Sequence, residues 1–219
     1  MKKNSKLFFL LLSAMILMLF SACSFSTDTG DSHMIKGSEA YSDENYSLAI
    51  EELNKAVELG VKSYKLEQVY TLLGNTYCNL KQYQEAIEAH NKALKVNPKY
   101  CEAWVNMGVA FRKKDDYDKA EECYKKAMLI DPKDPQLWSN LGSLHMVKGE
   151  NDKALTEFEK ALKLDNKMSA TYANYAHALA IAGRFEDAYK ALDKAKELNY
   201  KNADVIEEKI NTLKNKPTS

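Results

Sequence analysis

Apolar residues recur along this chain at the spacing of α-helices, and the whole pattern repeats every 34 residues. In each copy a large residue is followed by an apolar residue three positions later, a Gly or Ala at four, and a mostly apolar residue at seven, so all four share one helical face. The copies begin at Tyr70, Trp104, Trp138 and Tyr172. The second half of each copy carries Ala at two places, Ala86, Ala120, Ala154 and Ala188, then Ala93, Ala127, Ala161 and Ala195. The pattern predicts pairs of helices, A and B, and no strand.

One further unit precedes these copies, and one helix follows them. Gly37 lies 37 residues before Gly74, so a front helix is expected at about 33–42 with a longer turn near 60–63. The front helix has few large apolar residues, as expected of a terminal unit without an outer neighbour. Downstream, we expect Asn202 to cap a last helix, 203–214. Its predicted apolar stripe is Val205, Ile206, Ile210 and Leu213.

Particular residues mark the predicted helix ends and helix contacts. Asp134 before Pro135 is a favoured arrangement for the start of a helix. Gly149 and Gly183 follow helix A in the last two units, where a left-handed residue ends a helix at least cost. A Gly inside helix A costs about 1 kcal/mol relative to Ala. Because Gly recurs in helix A despite this cost, we expect helix B to pack closely against Gly74, Gly108 and Gly142.

The 34-residue period and these motifs resemble the tetratricopeptide repeat (TPR) family. The resemblance implies an all-α, right-handed superhelical solenoid of helix-turn-helix units. We expect the array at 34–202, a capping helix at 203–214, which keeps the array soluble, and a disordered tail at 215–219. The five units are expected near 30–66, 67–100, 101–134, 135–168 and 169–202.

The first 22 residues have the layout of a secretory signal peptide. Three Lys residues precede an apolar run at 7–20, which is short for a membrane span of ~20 residues. Phe20-Ser21-Ala22-Cys23 resembles a bacterial lipobox, with Phe20 where that motif usually has Leu. The resemblance implies palmitate-type lipid on Cys23 and a flexible tether over 23–33. An ordinary signal peptide or an uncleaved anchor is the alternative.

In TPR arrays helix A lines a concave groove, and the resemblance implies that defined places of that helix face a bound peptide. The sixth place is Asn in three successive units, at Asn106, Asn140 and Asn174. An amide side chain offers a donor and an acceptor, which matches a peptide backbone. Asn is common at this place in the family, so a structural role is the alternative. The candidate groove residues are Asn75, Asn106, Arg112, Asn140, Ser143, Asn174 and His177.

Charge and residue spacing argue against several other functions. Lys and Arg number 31, and Asp and Glu also number 31, so no global basic field favours nucleic acid. The four His and four Cys show no metal-ligand spacing, and no nucleophile–base pair or phosphate loop is apparent. We therefore expect no cofactor, no metal site and no enzymatic activity. The second, fifth and sixth places of the groove lack the basic residues with which chaperone-binding relatives grip a C-terminal carboxylate.

The sequence therefore predicts a scaffold that binds an extended peptide or a partner helix. With the lipid anchor, we expect it on the extracytoplasmic face of a bacterial cell membrane. The resemblance to bacterial TPR lipoproteins leaves a second hypothesis open, an accessory subunit of a cell-envelope enzyme or of a pilus or outer-membrane assembly complex. The sequence sets neither the partner's identity nor the oligomeric state.

Overall fold

The computed structural model of the protein describes residues 28–216, and this part consists of eleven α-helices without a strand. The A helices are α1 (Gly30–Ser42), α3 (Leu66–Asn79), α5 (Cys101–Lys113), α7 (Pro135–Val147) and α9 (Ser169–Ile181). The B helices are α2 (Tyr46–Leu59), α4 (Tyr83–Val96), α6 (Tyr117–Ile130), α8 (Asn151–Leu164) and α10 (Phe185–Glu197), and α11 (Ala203–Lys214) follows. The predicted signal peptide, the predicted lipidation site Cys23 and the last three residues lie outside the described residues.

The helices form one stack in which the A helices are closer together than the B helices. Each A helix packs on its own B helix, and each B helix packs on the next A helix. Successive A helices also touch one another, whereas successive B helices of the described chain do not. The stack therefore curves with the A helices on its inner side. The predicted all-α repeat solenoid is confirmed.

Close helix contacts depend on the glycines of the A helices. A Cβ added to Gly108 would lie 2.5 Å from Cε1 of Tyr124, and one added to Gly142 would lie 2.7 Å from Phe158. His90 covers Gly74 in the same way. The predicted close packing is confirmed, and the structure identifies the side chain that uses the space. It lies 16 positions after the glycine in each case.

Turns between A and B helices require one left-handed residue. Gly149 and Gly183 have φ of 75° and 76°, as predicted. In the earlier units this place is held by residues with a Cβ: Glu44, Lys81 and Asp115, at φ of 59–61°. Such residues adopt this conformation at a cost of about 1–2 kcal/mol. The first three turns therefore contain strain that the last two avoid.

The tryptophans connect helices A to the turns that precede them. Nε1 of Trp138 donates to the carbonyl oxygen of Pro132 at 2.8 Å, and Nε1 of Trp104 donates to Pro98 at 3.0 Å. Nζ of Lys160 lies 3.4 Å from the centroid of the Trp138 ring, which is a cation–π geometry. These aromatic side chains thus have a structural role.

The two ends of the array differ from the sequence-based expectation. Helix α1 begins at Gly30, after the capping side chain of Thr29, so residues 30–33 of the predicted tether are helical. Asn202 precedes α11, but its side chain makes no capping hydrogen bond. Ile206 and Ile210 are buried as predicted, whereas Val205 is 50% exposed. None of the described helices is long and apolar enough to span a membrane.

Candidate functional site

The inner surface of the array carries the predicted Asn ladder at matching places of α5, α7 and α9. Asn106 and Asn174 are partly exposed, but Asn140 is only 8% exposed. The side chains of Asn106 and Asn140 make no hydrogen bond to another described residue. Their amides are therefore unused, although Asn140 offers little surface to a partner.

A polar seam joins α7 and α9 beside this ladder. Nδ2 of Asn174 donates to Oγ of Ser143 at 3.4 Å, and that hydroxyl donates to the carbonyl of Ser139 at 3.0 Å. Oγ of Ser139 lies 2.8 Å from Oγ1 of Thr171. Ser143 is 8% exposed, so its hydroxyl serves the seam. The sequence placed Ser143 and Asn174 in one groove but did not indicate this hydrogen bond between them.

Asn75 lies at the N-terminal end of the inner surface, in a concavity of about 270 Å³ that we call the N-terminal pocket. Helices α1 and α3 and the start of α5 form its walls, with Tyr64 from the turn before α3. The lining residues are Met34, Tyr64, Gln68, Thr71, Leu72, Asn75, Tyr100 and Glu102. Oγ1 of Thr71 is buried in this wall without a hydrogen-bond partner.

Arg112 lies near the end of α5 and is partly buried. Burial raises the pKa of Tyr124 on α6 to about 12, although the nearby positive charge of Arg112 acts to lower that pKa. Nε of Arg112 and the hydroxyl of Tyr124 are both enclosed without a well-formed hydrogen bond. Arg112 therefore lies close to Tyr124, in the layer between α5 and α6.

His177 lies at the other end, in a concavity of about 460 Å³ that we call the C-terminal pocket. Burial and the nearby charge of Lys209 lower the pKa of His177, so the imidazole is neutral at pH 7. Helix α11 was expected only to cap the array, and its contribution to this pocket was not predicted. The residues of α11 that line this pocket are Val205, Glu208, Lys209, Thr212 and Leu213. These residues are spaced along one face of α11 that differs from its buried face, and this spacing could have predicted the pocket.

The thiols of the described chain are unsuited to nucleophilic chemistry. Cys78, Cys101 and Cys123 are free, and burial raises the pKa of Cys78 to about 11 and that of Cys123 to about 12. A thiol with such a pKa stays protonated near neutral pH, and the thiolate is the nucleophilic form. Within residues 28–216 no group of three His, Cys, Asp or Glu side chains could hold a metal ion.

Comparison with known families places the sequence among helical repeat proteins. The sequence model of a family described as the C-terminal domain of cilia and flagella-associated protein 70, a TPR domain, matches residues 22–211. None of the curated proteins matches the chain.

Solved structures share the same fold at low identity. The thermophilic TPR protein TTC0263 of Thermus thermophilus is 19% identical, with a TM-score of 0.71 over 84% of this chain and 98% of that one. A crystal structure of MamA is 22% identical, with a TM-score of 0.58 over 81% and 95%. MamA of Desulfovibrio magneticus RS-1 is 18% identical, with a TM-score of 0.61 over 78% and 95%. At this identity the likeness shows the fold alone.

Proposed function

Because the chain belongs to the TPR family described by the C-terminal domain of cilia and flagella-associated protein 70, we propose that it is a protein-binding scaffold. Repeat arrays of this kind are typically interaction scaffolds without catalytic activity. Their curvature gives an extended concave surface that binds other polypeptides. The ligand expected here is an extended segment or a partner helix bound along the inner surface.

The observation that carries this proposal is the set of unused polar groups on the inner surface. The amides of Asn75, Asn106 and Asn140 make no hydrogen bond to other described side chains or backbone. A bound peptide brings backbone donors and acceptors at regular spacing, and amide side chains can satisfy both. The pockets at the two ends would extend the contact area beyond the ladder.

The lipid anchor on Cys23 remains a second part of the proposal. It rests on the lipobox-like Phe20-Ser21-Ala22-Cys23 and on the apolar run before it. Helix α1 begins seven residues after Cys23, so such an anchor would hold the array close to a membrane on its extracytoplasmic face. Labelling with palmitate in a bacterial host tests this part: label should enter the protein and be absent from Cys23→Ala.

The scaffold proposal is tested by panning a displayed random peptide library against the full chain in detergent. We expect enriched peptides whose binding falls at least about tenfold when Asn106, Asn140 and Asn174 are all changed to Ala, because buried polar contacts are lost. The matched control is Asn91→Ala, an exposed Asn on the outer helix α4. Peptides that bind the triple variant as well as the wild type would place binding outside the ladder and overturn the proposal.

A further inference from the structure

We propose that the N-terminal pocket binds a cationic side chain, Lys or Arg, of the polypeptide held in the groove, an inference that rests on the proposed function. The eight residues that line the pocket include one carboxylate, Glu102, and no Lys or Arg. The C-terminal pocket differs, because Lys209 and Glu208 both line it. The two ends of the inner surface are therefore electrostatically distinct.

The carboxylate of Glu102 is available to a cation. Glu102 is exposed, and its Oε2 accepts a hydrogen bond from the Tyr100 hydroxyl at 2.7 Å. No Lys, Arg or His of the described chain forms an ion pair with it. The hydrogen bond orients the carboxylate at the pocket edge and leaves its second oxygen for an ammonium or guanidinium group.

A second carboxylate strengthens the negative potential near Tyr100. Glu67 is buried, and its Oε1 accepts from Nδ2 of Asn97 at 3.0 Å without an ion pair to a described cation. Burial raises the pKa of Tyr100 above its usual value, and the hydrogen bond to Glu102 and the negative charges of Glu102 and Glu67 raise it further. A cation entering the pocket is favoured by both carboxylates.

Neutral acceptors and apolar walls complete a site for a long cationic side chain. Oγ1 of Thr71 is enclosed without a hydrogen-bond partner. The side chain of Asn75 is partly exposed and makes no hydrogen bond to another described residue. Both can accept from the N–H groups of a Lys or Arg side chain. Met34 and Leu72 offer apolar surface to the aliphatic part of that side chain, and Tyr64 places an aromatic side chain in the lining of the pocket.

The test compares two small probes, N-acetyl-lysine amide and N-acetyl-norleucine amide, which differ in the terminal ammonium group. Each is titrated into the full chain in detergent micelles and followed by NMR of the amide groups. We expect the lysine probe to shift the resonances of Gln68, Thr71 and Asn75, with an affinity reduced about tenfold in Glu102→Gln. The matched control, Glu122→Gln, changes an exposed carboxylate on the outer helix α6 and should leave the affinity unchanged. Equal shifts by both probes, or no shift by either, would overturn the inference.

Panning of the displayed library separates this inference from the proposed function. The pocket is supported if the enriched peptides share a basic residue at one position and lose that preference on the Glu102→Gln variant. Peptides that depend on the Asn ladder but show no basic preference would retain the scaffold function and reject the cationic site. Lysine-probe binding without any enriched peptide would retain the site and count against the groove function.

Discussion

The ring of Phe158 lies directly against the backbone of Gly142, so that a Cβ on Gly142 would be 2.7 Å from two ring atoms. Gly142→Ala should therefore destabilise the protein, although Ala is the better helix former. Overpacking a core costs about 1–3 kcal/mol, against a propensity gain of about 1 kcal/mol. We expect a net loss of up to about 2 kcal/mol, measured by urea unfolding.

The last unit provides the control for this prediction, because it has Ala176 and Leu192 at the equivalent places. Both are buried there without a glycine. The double variant Gly142→Ala/Phe158→Leu should thus lose less unfolding free energy than the sum of the losses of the two single variants. Strictly additive losses in this double-mutant cycle would show that the ring and the glycine are not coupled.

Acid should destabilise the array through His90, which is fully buried on Gly74 with both ring nitrogens lacking a partner. Burial lowers the pKa of His90 from 6.5 to about 4. The unfolded chain therefore binds a proton below pH 6.5 that the folded chain binds only near pH 4, so stability is lost as pH falls through this window. The loss due to His90 should be about 2 kcal/mol at pH 5, from the linkage relation.

The change His90→Phe isolates this effect, because Tyr124 and Phe158 occupy the same place in the next two units. Unfolding free energies of both proteins are compared at pH 7.5 and pH 5. We expect the variant to be at least as stable as the wild type at pH 7.5, since the replacement removes two unsatisfied polar atoms. It should be clearly more stable at pH 5. An equal acid loss in both proteins would assign the effect to other groups.

The left-handed turn residues between A and B helices differ in conformational strain. Lys81 has φ of 61°, whereas Gly149 holds the same place in the fourth unit at 75°. Lys81→Gly should stabilise the protein by up to about 1 kcal/mol, because the left-handed strain of a Cβ is relieved. The reciprocal change Gly149→Ala should cost about 1 kcal/mol, and that cost is conformational because no atom lies near the new Cβ. Thermal unfolding of both variants would contradict the idea if the two shifts had the same sign.

Much of this architecture could be predicted because the repeat multiplies each local signal. The glycine series predicted close packing, at Gly74, Gly108 and Gly142. Asp134 with Pro135 predicted a helix start that the structure confirms, because the backbone N–H of Gln136 donates to Oδ1 of Asp134 at 2.8 Å. Each of these signals depends on neighbours in sequence or on a contact repeated at a fixed spacing. A single sequence suffices for signals of that kind.

The features that could not be predicted from the sequence depend on contacts that occur at one place in the array. Asn140 is buried, whereas the equivalent Asn106 and Asn174 are partly exposed, and the repeat pattern does not encode this difference. The early start of α1 depends on Thr29 capping and on Asp31, whose carboxylate accepts from the backbone N–H groups of Lys62 and Ser63. Whether Val205 is buried or lines a pocket depends on the rotation of α11 about its own axis, which the sequence does not determine. These features occur once, so no internal comparison could reveal them.

His33 attaches α1 to the array. Its Nδ1 lies 2.6 Å from Oε2 of Glu52 on α2, and its Nε2 lies 2.6 Å from Oδ1 of Asp28, while Lys55 also pairs with Glu52. Two carboxylates at both ring nitrogens favour the doubly protonated ring, and these hydrogen bonds raise the pKa of His33 above 6.5. The stabilisation is therefore complete below pH 6.5 and is lost as pH rises through the raised folded value.

Alkaline pH should accordingly loosen α1 while the rest of the array stays folded. Hydrogen exchange of the amides in α1, corrected for the intrinsic effect of pH, should be faster at pH 9 than at pH 6, and α4 should serve as the internal control. His33→Phe should abolish this difference, because an uncharged ring cannot respond to pH. Because Met34 of α1 lines the N-terminal pocket, the same loosening should weaken lysine-probe binding at pH 9. A pH dependence that persists in His33→Phe would show that another group controls the attachment of α1.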